Sequence, residues 1–129
     1  MATEILVNDG GAPARILPFV ATAAVTAGDL LMVHTDGKVK PTTTAVIPNI
    51  GVALTAAASG AICNVITGKG SIVRVIQNTN LAAGQICMVD SSNVGEVIAH
   101  TGTGKANLMA CMTLEDVAAG AYVKVILLD

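Results

Sequence analysis

Two stretches of the 129-residue sequence repeat one another: TAGDLLMVHTDGKV (residues 26–39) and LAAGQICMVDSSNVGEV (residues 81–97). Each contains an Ala-Gly step, a polar residue, an apolar run that ends in Met-Val, and a polar turn. Gly28 of the first stretch corresponds to Gly84 of the second. Self-similarity of this kind indicates an internally duplicated domain with the same order of strands and turns in each half.

A second pair of segments extends the repeat. ASGAICNVI (residues 58–66) matches AAGAYVKVI (residues 118–126), with a slightly larger spacing than the first pair. The change of spacing falls in the middle segment of each half, where loops absorb insertions. We therefore predict one β domain over residues 16–129, made of two similar halves at about residues 16–76 and 77–129.

Short alternating runs predict an all-β fold. Residues 72–76 (IVRVI) and 122–126 (YVKVI) are rich in β-branched side chains and are bounded by Gly or Asn. Asp36-Gly37 is typical of a tight hairpin turn, because Gly supplies the positive φ that such turns require. Only residues 112–120 carry a pattern compatible with a short helical turn. Many short strands at regular spacing favour a barrel or a sandwich.

The composition argues against several classes of binding partner. Hydrophobic residues make up 53% of the chain and charged residues only 12%, with a formal net charge of −2. The seven Lys and Arg residues form no basic cluster, so we expect neither a nucleic-acid nor a membrane partner. Apolar composition with sparse charge instead favours self-association.

The uncharged segment from Pro41 to Gly68 is not a membrane span, because Pro48, Gly51 and Gly60 interrupt it. The first residues carry acidic Glu4 where a signal peptide needs positive charge. We therefore expect synthesis in the cytoplasm.

Three widely spaced cysteines, Cys63, Cys87 and Cys111, lie in apolar, strand-like contexts without a CxxC pair. Free cysteines often serve as small buried hydrophobic residues, and we expect that role here. A metal site needs further ligands at short spacing, and His34 and His100 lie far away in sequence. We expect no metal and no cofactor.

Motifs for catalysis are absent from the sequence. GTGKA (residues 102–106) has Ala106 where a phosphate-binding loop needs Ser or Thr, and Ala99 where it needs Gly. No serine lies in a GxSxG motif, and Glu115 and Asp116 are adjacent, so on an extended strand they face opposite ways. We expect no enzymatic activity. A carrier domain with an exposed hairpin lysine, at Lys38, Lys69 or Lys105, stays open as a weaker alternative.

Residues 1–15 differ from the rest of the chain in their sequence pattern. MATEILV has strand character, and the following NDGGAPAR has the composition of a flexible hinge. Such an arm can bind a partner by adding a strand to its sheet. An edge strand on its own domain, or a frayed terminus, is the alternative. The candidate contact residues of the arm are Glu4, Ile5, Leu6, Val7 and Arg15.

The pattern of apolar strands and Ala-Gly turns in residues 18–33, 49–75, 82–90 and 118–128 resembles a family of small phage proteins that cement capsids. The resemblance covers about residues 15–129. It implies a β-tulip or β-barrel-like domain that decorates the outer surface of an icosahedral capsid as a homotrimer. Such a decoration (cement) protein bridges major capsid protein subunits and stabilises the virion, and its N-terminal arm contacts the shell.

Another virion β-module, such as a head-fibre base or a tail component, is the alternative function. A ligand-binding β-domain is the weaker one.

Overall fold

A computed structural model describes residues 5–8, 15–34, 36–43, 50–90, 93–100 and 109–128. The described residues form strands and turns, and no helix among them is long and apolar enough to cross a membrane. The all-β prediction is confirmed. The strands are β1 (Leu6–Asn8), β2 (Arg15–Val20), β3 (Leu30–Val33), β4 (Val39–Pro41), β5 (Gly51–Ala53), β6 (Ile62–Thr67), β7 (Ile72–Ile76), β8 (Ile86–Val89), β9 (Val97–Ala99), β10 (Met109–Thr113) and β11 (Tyr122–Leu127).

Each repeat forms its own antiparallel sheet. The first sheet has the order β2-β6-β5-β3-β4, and the second has the order β1-β7-β11-β10-β8-β9. Without β1, the five strands of each half follow the same order: first, fifth, fourth, second, third. The predicted internal duplication is therefore present in the strand pairing as well as in the sequence.

Two equivalent parallel bridges bring the ends of each sheet together. Ala21 bridges to Val39 in the first half, and Gln77 bridges to Val97 in the second. Each bridge joins the chain just after the first strand of a half to its third strand, at the far end of the sheet. This contact curls each sheet towards closure and makes it barrel-like.

The boundary between the halves lies between β6 and β7, at residues 68–71, rather than between residues 76 and 77 as predicted. Strand β7 occupies the same place in its sheet as β2 does in the first. The sequence comparison missed this because the equivalent strands, RILPFV and SIVRVI at residues 15–20 and 71–76, share only one identical aligned residue.

The segment at residues 112–120 also differs from the expected helical turn. Its start belongs to β10, and Val117 forms an antiparallel bridge to Leu81. The same bridge joins Val25 to Ala57 in the first half. Both backbone groups of Val117 are hydrogen-bonded to Leu81, which leaves no helical hydrogen bonding at this residue.

The core is aliphatic, as the composition requires. Leu31, Val65 and Cys63 lie in a cluster inside the first half, whereas Leu30 and Val52 belong to a larger cluster with the interior of the second half. The first sheet thus buries residues on both of its faces, and this joins the two halves. The three cysteines are buried and form no disulfide with one another, as predicted.

Strand β1 is one of the two edge strands of the second sheet. Leu6 pairs with Val73, and the carbonyl of Ile5 accepts a hydrogen bond from the Arg74 N–H. Ile5 is only 3% exposed and lies in the larger core cluster. Residues 5–8 therefore take the arrangement of the edge-strand alternative. Residues 1–4 and 9–14 of the expected arm lie outside the described residues.

The two halves meet at a turn of the first half. The Tyr122 hydroxyl donates a 2.7 Å hydrogen bond to the Ala27 carbonyl. Gly28 follows with φ +93°, and a Cβ built there would lie 2.5 Å from the Tyr122 ring. The equivalent Gly84 has φ +82°, but a Cβ built there would have no neighbour within 4 Å. The same turn is therefore buried in one half and open in the other.

We expect Gly28→Ala to destabilise the protein more than Gly84→Ala does. Both variants meet the left-handed backbone penalty of about 1–2 kcal/mol. Only Gly28→Ala also forces Tyr122 aside, at a further cost of about 1–3 kcal/mol. Urea unfolding of the two variants measures the difference, and equal losses of stability would contradict the packing of Gly28 against Tyr122.

Candidate functional site

An apolar patch covers the outer face of β2 and β6. The pairs Ile16↔Ile66, Pro18↔Asn64 and Val20↔Ile62 place alternate residues of both strands on this face. Ile62 is 64% exposed, Ile16 44% and Val20 37%, and Pro18 is also exposed. We call Ile16, Pro18, Val20 and Ile62 the β2–β6 patch.

The equivalent face of the second half is more polar and better covered. Arg74 pairs with Lys124 where the first half has Pro18 and Asn64, and Tyr122 takes the place of Ile62. Arg74, Lys124 and Tyr122 are all half-buried. Of these two equivalent faces, the one on the first half is exposed, apolar and uncharged. Contiguous exposed apolar surface of this kind marks a protein interface.

Strand β2 also differs from β7 in its free edge. Strand β1 covers one side of β7, whereas β2 stands at the end of its sheet with β6 as its single neighbouring strand among the described residues. Pro18 lies in this strand, as expected for an edge, because Pro lacks the N–H that a central strand needs. An open edge beside an apolar patch suits contact with another protein.

The residues predicted to contact a capsid are not gathered at this patch. Ile5 is buried in the core and Leu6 packs partly against it, both beside β7. Arg15 is exposed at the first position of β2, in the other sheet. Glu4 lies outside the described residues, and Val7 belongs to β1.

Sequence reasoning missed the β2–β6 patch. The alternation of Ile16, Pro18 and Val20 was a usable signal, because residues two apart on a strand share a face. What the alternation did not show was that Ile62 lies opposite Val20 on the neighbouring strand.

The titratable and hydroxyl side chains make local contacts among the described residues. His34 pairs with Asp36 at 3.2 Å across an exposed turn, and the Ser59 hydroxyl donates to the Thr22 carbonyl. No three His, Cys, Asp or Glu side chains in the described ranges are grouped to hold a metal ion.

Asp29 is buried, at 7% exposed, in the turn of the first half that contacts the second half. Burial raises the pKa of its carboxyl group, a hydrogen bond from the Thr26 N–H lowers it in part, and the nearby charge of Glu96 raises it. The second half has neutral Gln85 at the same position, and its side-chain oxygen accepts the equivalent hydrogen bond from Ala82. The turn therefore needs the acceptor and not the charge.

We expect Asp29→Asn to be more stable than the wild type at neutral pH, because it keeps an acceptor and removes a buried charge. The pKa of Asp29 is raised on folding, so the folded protein takes up this proton at higher pH than the unfolded chain. The wild type therefore gains stability from this group as the pH falls. The advantage of the variant should shrink as the pH approaches the unfolded-state pKa of about 4.

Thermal unfolding across this pH range tests the expectation. Asp36→Asn is the control, because a hydrogen bond from the Lys38 N–H lowers the pKa of this exposed carboxyl group. Replacing this carboxylate should therefore not increase the stability of the protein at neutral pH. A loss of stability in Asp29→Asn at neutral pH would show that the carboxylate contributes more than its burial costs.

The sequence matches no protein-family model and no curated protein. The structure is similar to that of the head fiber gp8.5 N base in bacteriophage phi29, with a TM-score of 0.69 and 14% sequence identity. The likeness covers 89% of this chain and 94% of the phage chain. At this identity it establishes a shared fold: an internally duplicated, barrel-like all-β domain.

Proposed function

We propose that this protein is a structural component of a phage virion and that it serves as the base module of a head fibre. One observation carries the proposal: the fold is similar to that of the head fiber gp8.5 N base over nearly the whole length of both chains. This observation favours the fibre base over the decoration function that the sequence pattern implied.

The physical character of the chain supports a structural role. The two halves are joined through one aliphatic core cluster, and the turn contact between them adds a hydrogen bond. The β2–β6 patch and the free edge of β2 offer a surface for a protein partner. A rigid module with an exposed apolar face suits attachment to a larger assembly, where several weak contacts add up.

Capsid decoration is the second candidate. The resemblance of the Ala-Gly repeats to cement proteins supports it, together with the implied homotrimer, major capsid protein partner and place on the outer capsid surface. A protein that binds only the assembled shell stabilises it by mass action. Both candidate functions are structural roles that require no catalysis, no cofactor and no binding to nucleic acid.

Purified phage heads that lack this protein provide the test. After the protein is added, we expect saturable binding, and cryo-electron microscopy should show density on the outside of the head. A fibre base predicts occupancy at a limited set of sites. Decoration predicts occupancy across the lattice and a rise in the temperature at which heads disrupt. Absence of binding would overturn both candidates.

Arg15→Glu tests the predicted contact residue that the structure leaves exposed. We expect this variant to bind heads at least about tenfold more weakly, a loss of roughly 1.4 kcal/mol. Lys38→Glu makes the same charge change in the exposed β3–β4 turn and should bind as the wild type does. Deletion of residues 1–15 is unsuitable as a test, because it removes β1 and the buried Ile5. Unchanged binding by Arg15→Glu would exclude Arg15 as a contact.

A further inference from the structure

The contact between the two halves joins two different surfaces. The first half contributes its turn surface, which consists of Ala27, Gly28, Asp29, Leu30 and Thr42. The second half contributes its receiving surface, which consists of Arg74, Gly95 and Tyr122. Hydrogen bonds run from the Leu30 N–H to the Gly95 carbonyl (2.8 Å) and from the Gly95 N–H to the Thr42 carbonyl (3.0 Å).

Close approach at this contact depends on two glycines. A Cβ on Gly28 would lie 2.5 Å from Tyr122 Cε1, and a Cβ on Gly95 would lie 2.6 Å from Asp29 Oδ1. Both glycines are buried. Glycine is the residue that lets two backbones pack this closely while also taking a positive φ.

Because the chain is duplicated, each half also carries the surface that the other half uses. The turn surface of the second half consists of Ala83, Gly84, Gln85, Ile86 and His100. Its backbone is built in the same way, since the His100 N–H donates to the Ile86 carbonyl just as the Thr42 N–H donates to the Leu30 carbonyl. Gly84 is exposed, and a Cβ built there would have no neighbour within 4 Å.

The receiving surface of the first half consists of Pro18, Gly37 and Ile62, the equivalents of Arg74, Gly95 and Tyr122. Gly37 is exposed, with no neighbour within 4 Å of a Cβ built on it, and Ile62 is 64% exposed. Pro18 and Ile62 belong to the β2–β6 patch. If a two-fold axis related the two halves, the turn surface of the second half would also bind the receiving surface of the first half. The halves are instead joined head to tail, which leaves one surface of each kind open.

We propose that the receiving surface of the first half binds the turn surface of the second half of another copy of this chain. The interface between copies repeats the contact that joins the halves within a copy. Ile62 takes the position of Tyr122 and packs against Ala83 and Gly84, as Tyr122 packs against Ala27 and Gly28.

The chemistry of the open surfaces suits burial. The second half has Arg74 and Lys124 beside its receiving surface, whereas the first half has uncharged Pro18 and Asn64 at those positions. Burying these two positions in an interface therefore desolvates no cation, whereas burying Arg74 and Lys124 would. Head-to-tail contacts form a closed ring when the rotation from one copy to the next brings the last copy back to the first. We expect such a ring, which has a defined mass. The interface forms between copies of this chain alone, so the proposal does not depend on which virion component the protein is.

Sedimentation of purified protein tests the interface. We expect the wild type to form an oligomer at concentrations on the order of 100 µM or below, which corresponds to a contact of about 5.5 kcal/mol or stronger. Ile62→Lys blocks the receiving surface of the first half, and Ala83→Lys blocks the turn surface of the second half. Each variant alone should have the mass of a monomer. Val94→Lys is the matched control: Val94 is 58% exposed and lies on neither open surface, so this variant should keep the wild-type mass. Circular dichroism and thermal unfolding should show that all three variants are folded.

Mixing the two monomeric variants separates a head-to-tail interface from other kinds. Each variant retains the surface that the other lacks, so an equal mixture should form a heterodimer and nothing larger. A mixture that stays monomeric would overturn the proposal, as would a monomeric wild type. So would an Ile62→Lys variant that keeps the wild-type mass.

Discussion

The Ala-Gly turn before the second strand of each half holds the fold together. In the first half the Gly28 N–H donates to the Ala53 carbonyl, and the Asp29 side chain accepts from the Thr26 N–H. Gly84 makes the equivalent bond in the second half, to the Thr113 carbonyl. Buried backbone groups must find partners, and these bonds satisfy them where the chain changes direction. The turn thereby fixes how the second strand enters a sheet whose neighbours come from distant parts of the repeat.

Duplication of this unit produced two halves with the same strand order and different surroundings. The turn at Gly28 is covered by Tyr122, whereas the turn at Gly84 is open. The faces that would cover these turns have diverged accordingly, with a half-buried Tyr122 in one half and an exposed Ile62 in the other. A head-to-tail arrangement explains both observations, because it uses one surface of each pair within the chain.

The same asymmetry bears on function. The chain shares its fold with the base of a phage head fibre, and the described residues present an apolar sheet face and an open edge on the first half. A partner surface of this kind is built from residues with no distinctive chemistry of their own. Ile16 and Ile62 become a candidate site because the sheet places them side by side on an exposed face.

Local features were determined by the sequence itself: the all-β class, the duplication, the turn glycines and the burial of the cysteines. These depend on alternation, on residues that permit positive φ and on short-range repeats, which are properties of neighbouring residues. The boundary between the halves and the pairing of residues 6–8 with β7 were decided by the tertiary structure. So was the contrast between Gly28 and Gly84, which share an Ala-Gly step and have similar positive φ angles of +93° and +82°. What covers a residue depends on long-range packing, and in a duplicated chain similar local patterns acquire different neighbours.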